Sequence, residues 1–276
     1  MHVSSVLESI IEGVREDLAL RQRQVNLSEL HDQIQATAPA QPAATRLADR
    51  SFSVISEVKR SSPSKGHLAP ITHPQELAEQ YALGGAQIIS VLTEQRRFSG
   101  SLADLDAVRR EVDTPLLRKD FMVTEYQILE ARAHGADVIL LIVAALGDRQ
   151  MQEFNELALE LGMSVLVEVH DEDELERALN LSPTLLGVNA RNLKTLEVDL
   201  ATCERLLPLI PPTIVSVAES GLSTLDDLER MVRAGARAVL VGEALVTGGA
   251  PQETVRQWTE YGCEIRESLF GGGRSS

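Results

Sequence analysis

Residues 134 to 142 read His134-Gly135-Ala136-Asp137-Val138-Ile139-Leu140-Leu141-Ile142. The run after Asp137 is apolar without alternation, which is the pattern of a parallel strand covered on both faces. The glycine ahead of it can take the left-handed conformation just past a helix without a Cβ clash, so a helix stops there and turns directly into the strand. The same punctuation recurs at Gly84-Gly85-Ala86, Leu161-Gly162-Met163 and Ala234-Gly235-Ala236. Outward from this point, eight apolar runs follow one plan: Ser53–Val58, Gln87–Leu92, Pro115–Lys119, Asp137–Ile142, Ser164–Val169, Leu185–Val188, Thr213–Ala218 and Ala238–Val241. They start roughly 25 residues apart, the spacing of one strand plus one helix.

Eight such units in 276 residues predict an α/β fold, a closed (β/α)8 TIM barrel over residues 51–262, because that architecture typically takes ~250 residues. An open doubly wound sheet uses the same local signals and is set aside on the number of strands. Helix starts are marked by Asp171, followed by the acidic first turn Glu172 to Glu174, and by Ser223, with Asp226 in the capping-box position. Residues 1–50 stand outside the repeat as an N-terminal helical extension. There Val6, Leu7, Ile10, Ile11, Val14 and Leu18 share one helix face, Ser5 and Glu8 are spaced as a capping box, and packing on the barrel is expected. Gln35 to Thr45 reads as a loop, and residues 263–276 as a partly disordered tail.

Acidic residues outnumber basic ones, 41 to 26, so a formal charge of -15 argues against nucleic acid or an anionic membrane as partner; any anion site must be local. Two cysteines, Cys203 and Cys263, are too few for a disulfide framework and lack metal-site spacing, which fits a cytoplasmic protein. The longest apolar run, Val138 to Leu146, is far short of the ~20 residues that span a bilayer, and the N-terminus has no signal-peptide pattern.

In a barrel of this kind catalytic groups project from the carboxyl ends of the strands. Read together, those ends carry Glu57 and Lys59, Lys119, Glu168, Asn189 and Arg191, Glu219-Ser220-Gly221, and Gly242-Glu243. The chain has only four lysines, Lys59, Lys65, Lys119 and Lys194, and all fall at or just after strand ends. Burial depresses a lysine pKa where arginine stays charged, so Lys59 and Lys119 are read as proton-handling groups, with solvated charge as the equal alternative for Lys65 and Lys194. Glu57, Lys59, Lys119 and Glu168 would then meet at one mouth as acids and bases. The bland alternative is an ion-pair lattice closing the barrel.

Gly221 and Gly242, after the last two strands, suggest a phosphate cradle of backbone N–H groups, with Ser62 and Ser220 adding hydroxyls; Arg191 suits a second anion through its fork. No metal or other cofactor is expected: the six histidines show no ligand spacing and read as caps or surface residues, and no Walker A or G-x-G-x-x-G sequence occurs. Ser220 lacks a nucleophile elbow and a histidine base.

These residues resemble the indole-3-glycerol phosphate synthase family over nearly the whole chain. The resemblance rests on Ser56-Glu57-Val58-Lys59-Arg60-Ser61-Ser62-Pro63-Ser64-Lys65-Gly66, Leu117-Arg118-Lys119-Asp120-Phe121, Val167-Glu168-Val169-His170, Gly187-Val188-Asn189-Ala190-Arg191, Ala218-Glu219-Ser220-Gly221 and Val241-Gly242-Glu243. It implies decarboxylative ring closure and dehydration of 1-(2-carboxyphenylamino)-1-deoxyribulose 5-phosphate to indole-3-glycerol phosphate in tryptophan biosynthesis, without cofactor. It further implies Lys119 as general acid, Lys59 at the substrate carboxylate, Glu168 as the group acting on the hydroxyl and ring proton, and Glu57, Asn189 and Glu219 in support. Arg191 would steady the anthranilate end against a wall of Phe98, Phe121 and Leu140, and Ser62, Gly221, Gly242 and Glu243 would form the phosphate cradle. Ser56, Asn192 and Ala244 depart from the residues usual in the family, and Ala244 removes one phosphate hydroxyl. A monomer is expected, with association with other tryptophan-pathway enzymes as a further expectation. Two rivals are another phosphate-binding barrel, an isomerase or Schiff-base aldolase, and a non-catalytic subunit docking through the N-terminal helix.

Overall fold

A computed structural model describes residues 5–62, 66–67, 71–247 and 249–270. Eight parallel strands close a barrel: β1 (Ser53–Val58), β2 (Ile88–Leu92), β3 (Leu116–Lys119), β4 (Val138–Ile142), β5 (Ser164–Val169), β6 (Leu185–Asn189), β7 (Val215–Glu219) and β8 (Ala238–Val241). Each pairs with its sequence neighbours, and β1 closes on β8 with Ser53 opposite Ala238. The predicted runs match these strands to within one or two residues; the seventh begins later, at Val215, and runs on to Glu219. The predicted TIM barrel is therefore the observed fold.

Helices return the chain between strands. They are α4 (Pro74–Leu83), α5 (Leu102–Glu111), α6 (Glu125–Ala133), α7 (Asp148–Glu160), α8 (Glu172–Leu179), α9 (Leu200–Leu206), α10 (Leu225–Ala234), α11 (Glu243–Thr247) and α12 (Pro251–Phe270), and the extension adds α1 (Val6–Gln24), α2 (Leu27–Ala36) and α3 (Ala43–Ala48) ahead of them. The junction glycines turn as expected: Gly235, for one, caps α10 at φ 114°. Asp171 caps α8 as expected. The seventh-strand loop corrects the reading by one residue, since Thr224 and Asp227 form the capping box while Ser223 N–H and hydroxyl also bond to Asp227. Ser220 and Gly221, between the strand and this cap, are both left-handed, at φ 67° and 80°.

Side chains alternate about the pleat. Inward positions hold Ile55, Ile88, Leu117, Val138, Leu140, Leu166, Leu185, Val215, Val217, Ala238 and Leu240, which form one apolar cluster inside the barrel; outward positions pack against the helices. On β1, β3, β5, β6 and β7 the inward series changes from apolar to ionisable or polar at its carboxyl end, at Glu57, Lys119, Glu168, Asn189 and Glu219.

The extension is three helices rather than one helix and a long loop, and only residues 37–42 of the predicted Gln35–Thr45 loop are non-helical. The capping box of Ser5 and Glu8 is present. Leu7, Ile10 and Val14 of α1 join the inner cluster beside Phe121 and Ile142, and Leu18 packs with Leu30 of α2 and Tyr126 and Leu129 of α6. At the C-terminus, α12 continues past residue 262 to Phe270 because Val255, Trp258 and Ile265 recur on one buried face, so part of the predicted tail is helix; residues 271–276 lie outside the described residues.

Outside the barrel wall, Arg118 is fully buried. Its guanidinium donates to Asp120 at 3.0 Å, Glu130 at 2.9 Å, the Gln127 carbonyl at 3.0 Å and Thr93 at 3.1 Å, and Glu130 also receives Arg21 of α1 at 2.8 Å. Removing one member strands buried charge. Arg118→Ala is expected to cost about 3 to 5 kcal/mol of unfolding free energy. Urea denaturation checks this, and an unchanged midpoint would show the network to be dispensable.

Candidate active site

The carboxyl ends of the strands surround a cavity of about 360 Å³, within the usual range for a small-molecule site. Glu57, Lys59, Phe98, Lys119, Phe121, Leu140, Glu168, Asn189, Arg191, Glu219, Ser220, Gly221, Gly242 and Glu243 all line it. The side chain of Ser62 and all of Lys65 lie outside the described residues. Lys194 is exposed and does not line the cavity, so it reads as solvated charge.

The ionisable groups come from inward ends of several strands. Lys119 Nζ of β3 sits 3.2 Å from Glu168 Oε2 of β5 and 3.3 Å from Glu219 Oε2 of β7. Asn189 of β6 donates to Glu168 Oε1 at 3.1 Å. Lys59 Nζ lies 2.6 Å from Glu57 Oε1, whose other oxygen accepts from Ser90 at 3.4 Å. The side chains of Glu168 and Glu219 are each 1% exposed, so their charge states are decided by neighbours rather than by water.

These neighbours separate the carboxylates. Burial raises the proton affinity of Glu168, but Lys119, with His170 and Asn189 adding to it, outweighs burial and holds the group far below the usual carboxylate range. Glu219 goes the other way: burial, reinforced by the Glu168 charge and only partly opposed by Lys119, pushes it up to about 8. Lys119 approaches Glu219 off the line a hydrogen bond needs, and both Glu219 oxygens are buried without a hydrogen-bond partner among the described residues. A proton on Glu219 relieves that situation. Glu57 is depressed, because Lys59 and then Lys119 overcome its burial.

Lys119 corrects the expectation of a depressed lysine. Burial does disfavour its charge, but Glu168, Glu219 and Glu57 outweigh burial and raise it above the ordinary lysine range, so it stands as an ammonium.

The apolar wall is placed by backbone capping. Glu94 accepts the N–H groups of Arg96, Arg97 and Phe98 at 3.0, 2.7 and 3.0 Å, and sets Phe98 opposite Phe121, ring centroids 6.3 Å apart. Asp120 accepts from Phe121 N at 2.9 Å. On the far side Asn189 accepts from Arg191 N at 3.0 Å, and Arg191 donates to the Leu196 carbonyl at 3.0 Å, which holds the loop bearing Leu193 and Val198 over the cavity.

Three participants were not legible from motifs. Gly187 lies one strand from Glu219, and a Cβ there would collide with the Glu219 carboxylate, so the glycine makes room for it. Glu94 orders the aromatic loop. His170, expected as a cap or surface residue, has its side chain only 12% exposed and lies 3.4 Å from Glu168. The two-residue period from Glu168 is the sequence signal that would have found it.

A parallel barrel with an ammonium, carboxylates of divided proton affinity and an aromatic wall at its carboxyl-end mouth defines a (β/α)8-barrel enzyme of the acid–base type. The family model described as Indole-3-glycerol phosphate synthase matches residues 7–258. The chain belongs to that family, and is accordingly a carboxy-lyase of tryptophan biosynthesis. It is 55% identical to the indole-3-glycerol phosphate synthase of Arthrobacter sp. (strain FB24) over 94% of this chain and 97% of that one. It is 57% identical to indole-3-glycerol phosphate synthase 1 of Streptomyces coelicolor over 91% and 93% of the two chains. Among solved structures, KGPDC from Streptococcus mutans shares the fold at a TM-score of 0.62 and 12% identity, covering 78% of this chain and 99% of that one.

The Glu219 environment has a stability consequence. Its proton affinity is raised from about 4.5 to about 8, so the folded state holds a proton that the unfolded chain releases. The associated stability is full below the unfolded value and is lost as pH rises through the folded one. Glu219→Gln, neutral at every pH, should therefore gain on wild type in denaturant midpoint between pH 5 and pH 9. Parallel pH profiles for the two proteins would remove the raised carboxyl.

Proposed function

We propose that the cavity residues carry out the family's ring closure and dehydration on 1-(2-carboxyphenylamino)-1-deoxyribulose 5-phosphate in these roles. Lys119 donates to the ribulose carbonyl oxygen as the aromatic carbon attacks it. That oxygen gains charge in the transition state, and a preorganised ammonium stabilises it more than it stabilises the substrate. Lys59 faces the substrate carboxylate that leaves as carbon dioxide. In the dehydration Glu168, ionised at neutral pH, takes the ring proton and passes it to the departing hydroxyl, which leaves as water, while Glu219, proton-bearing at neutral pH, Glu57 and Asn189 keep the two reacting groups in register.

The observation that carries this reading is the position of Lys119 Nζ, 3.2 Å from Glu168 and 3.3 Å from Glu219 in a cavity that also holds Phe98 and Phe121. Phe98, Phe121 and Leu140 offer the anthranilate ring an apolar wall and Arg191 steadies its charged end. Gly221, Gly242 and Glu243 offer backbone N–H groups to the phosphate, with hydroxyls from Ser220 and Ser62. Thr247 also lines the cavity and supplies a hydroxyl near Ala244. The reading extends to a monomer in the cytoplasm: both cysteines are free, as in a reducing compartment, and α1 commits Leu7, Ile10 and Val14 to the barrel rather than to another subunit.

Lys119→Ala is expected to lower kcat by roughly 10² to 10⁴ with KM changed only a few-fold, because the lost interaction belongs to the transition state. Indole fluorescence on incubation with the carboxyphenylamino ribulose phosphate reads both constants. Wild-type kcat in the folded variant would overturn the acid assignment.

A further inference from the structure

His170 follows Glu168 by two residues, yet it is absent from the cavity lining and stands behind that carboxylate. Glu174 of α8 holds it twice: one oxygen accepts the His170 backbone N–H at 2.8 Å and lies 2.9 Å from ring Nδ1. The other ring nitrogen, Nε2, faces Glu168 Oε1 at 3.4 Å, and is buried without a hydrogen-bond partner among the described residues.

This geometry constrains the proton. With Nδ1 giving its hydrogen to Glu174, a neutral ring would turn a bare lone pair toward an ionised carboxylate, which is repulsive. The contact becomes attractive when Nε2 also bears a proton. The charged groups around the pair are Glu174 beyond Nδ1, Lys119 on Glu168 Oε2, and Glu219 beyond Lys119; Asn189 adds a neutral donor on Oε1. Two cations thus bracket Glu168.

We propose that His170, anchored by Glu174, is a positioning residue for Glu168: its imidazolium keeps the carboxylate ionised and pins Oε1, leaving Oε2 turned to Lys119. The arrangement has a use in the reaction. When Lys119 engages the substrate oxygen, Glu168 loses its first partner at the stage where it must remain a base, and the second cation keeps it ionised. Although burial opposes a charge on the ring, Glu168 and Glu174 outweigh it and lift the imidazole up to about 10.

The inference rests on Glu168 acting as the base. Imidazole ¹⁵N NMR of the full chain from pH 6 to pH 9 should show His170 doubly protonated throughout, and Glu168→Gln or Glu174→Gln should return its titration toward ~6.5. In kinetics, His170→Gln and His170→Ala should leave KM near wild type and move the acid limb of the kcat profile up by about one pH unit, so that kcat on that limb falls about tenfold at a given pH. Glu174→Gln should move it the same way by less. A wild-type ring that deprotonates near pH 6.5, or an unmoved acid limb in folded His170→Gln, overturns the inference. Glu168→Gln that keeps wild-type turnover rejects the base assignment itself, so the two failures are distinct.

Discussion

The mouth of the barrel depends on one ammonium. Glu57, Glu168 and Glu219 are each at most 4% exposed, and three carboxylates removed from water at one end of a barrel repel one another and forfeit hydration. Lys119 touches two of them and raises the cost of protonating the third, Glu57, from further away. It also makes them unlike. Glu168 takes the ammonium and the Asn189 amide together and is ionised, while Glu219 meets the same ammonium in poor alignment and retains its proton. Identical side chains are thus set to opposite protonation states by angle and burial.

The placement of these groups follows from the pleat. Every second residue of a strand points into the barrel, and the closed sheet brings eight such columns to one rim. Below the rim the columns are Val, Ile, Leu and Ala, which exclude water from the floor of the cavity and so strengthen the charge interactions above it. Gly187 breaks the pattern in the column of β6, where Glu219 from the neighbouring strand needs the volume. The aromatic wall is held by Glu94 and Asp120 through backbone N–H groups, so the two loops that present Phe98 and Phe121 are set by local backbone geometry as well as by the packing of Phe121 in the inner cluster.

Much of this was legible in the sequence because charged residues ending apolar runs are anomalous. A lysine or glutamate at the end of an apolar run stands out in the sequence, and Lys119, Glu168 and Glu219 are all of this kind. What was not legible depends on contacts between distant segments. Desolvation of a lysine is readable from its flanks, but the approach of carboxylates from β5 and β7 is not, so the direction of the Lys119 shift was expected with the wrong sign. For His170 metal-ligand spacing is uninformative, and the two-residue parity with Glu168 is the relation that matters. The demand on Gly187 comes from Glu219, far along the chain. The helix cap at Thr224 lies one residue past the expected Ser223, and the left-handed Ser220-Gly221 turn before it has no unique signature in a loop that needs glycine anyway.

Arg118 and Lys119 show how adjacent cations on one strand are put to opposite uses. They point to opposite sides of the wall, and both are buried among carboxylates. Arg118 faces the helices, where a rigid planar fork can satisfy Thr93, Asp120, Gln127 and Glu130 together, and its charge fixes α6 and, through Glu130 and Arg21, the N-terminal helix. Its donors are committed to the protein. Lys119 faces the cavity with a compact charge on a flexible stem, meeting Glu168 at 3.2 Å and Glu219 at 3.3 Å rather than in a forked grip. An arginine there would span the carboxylates with a fork whose proton is effectively never released. An ammonium can turn from a carboxylate toward a substrate oxygen within its own reach, and it can give up a proton. The chain uses arginine at twenty-two positions and lysine at four, and the inward end of β3 is where the chemical difference between the two decides the outcome.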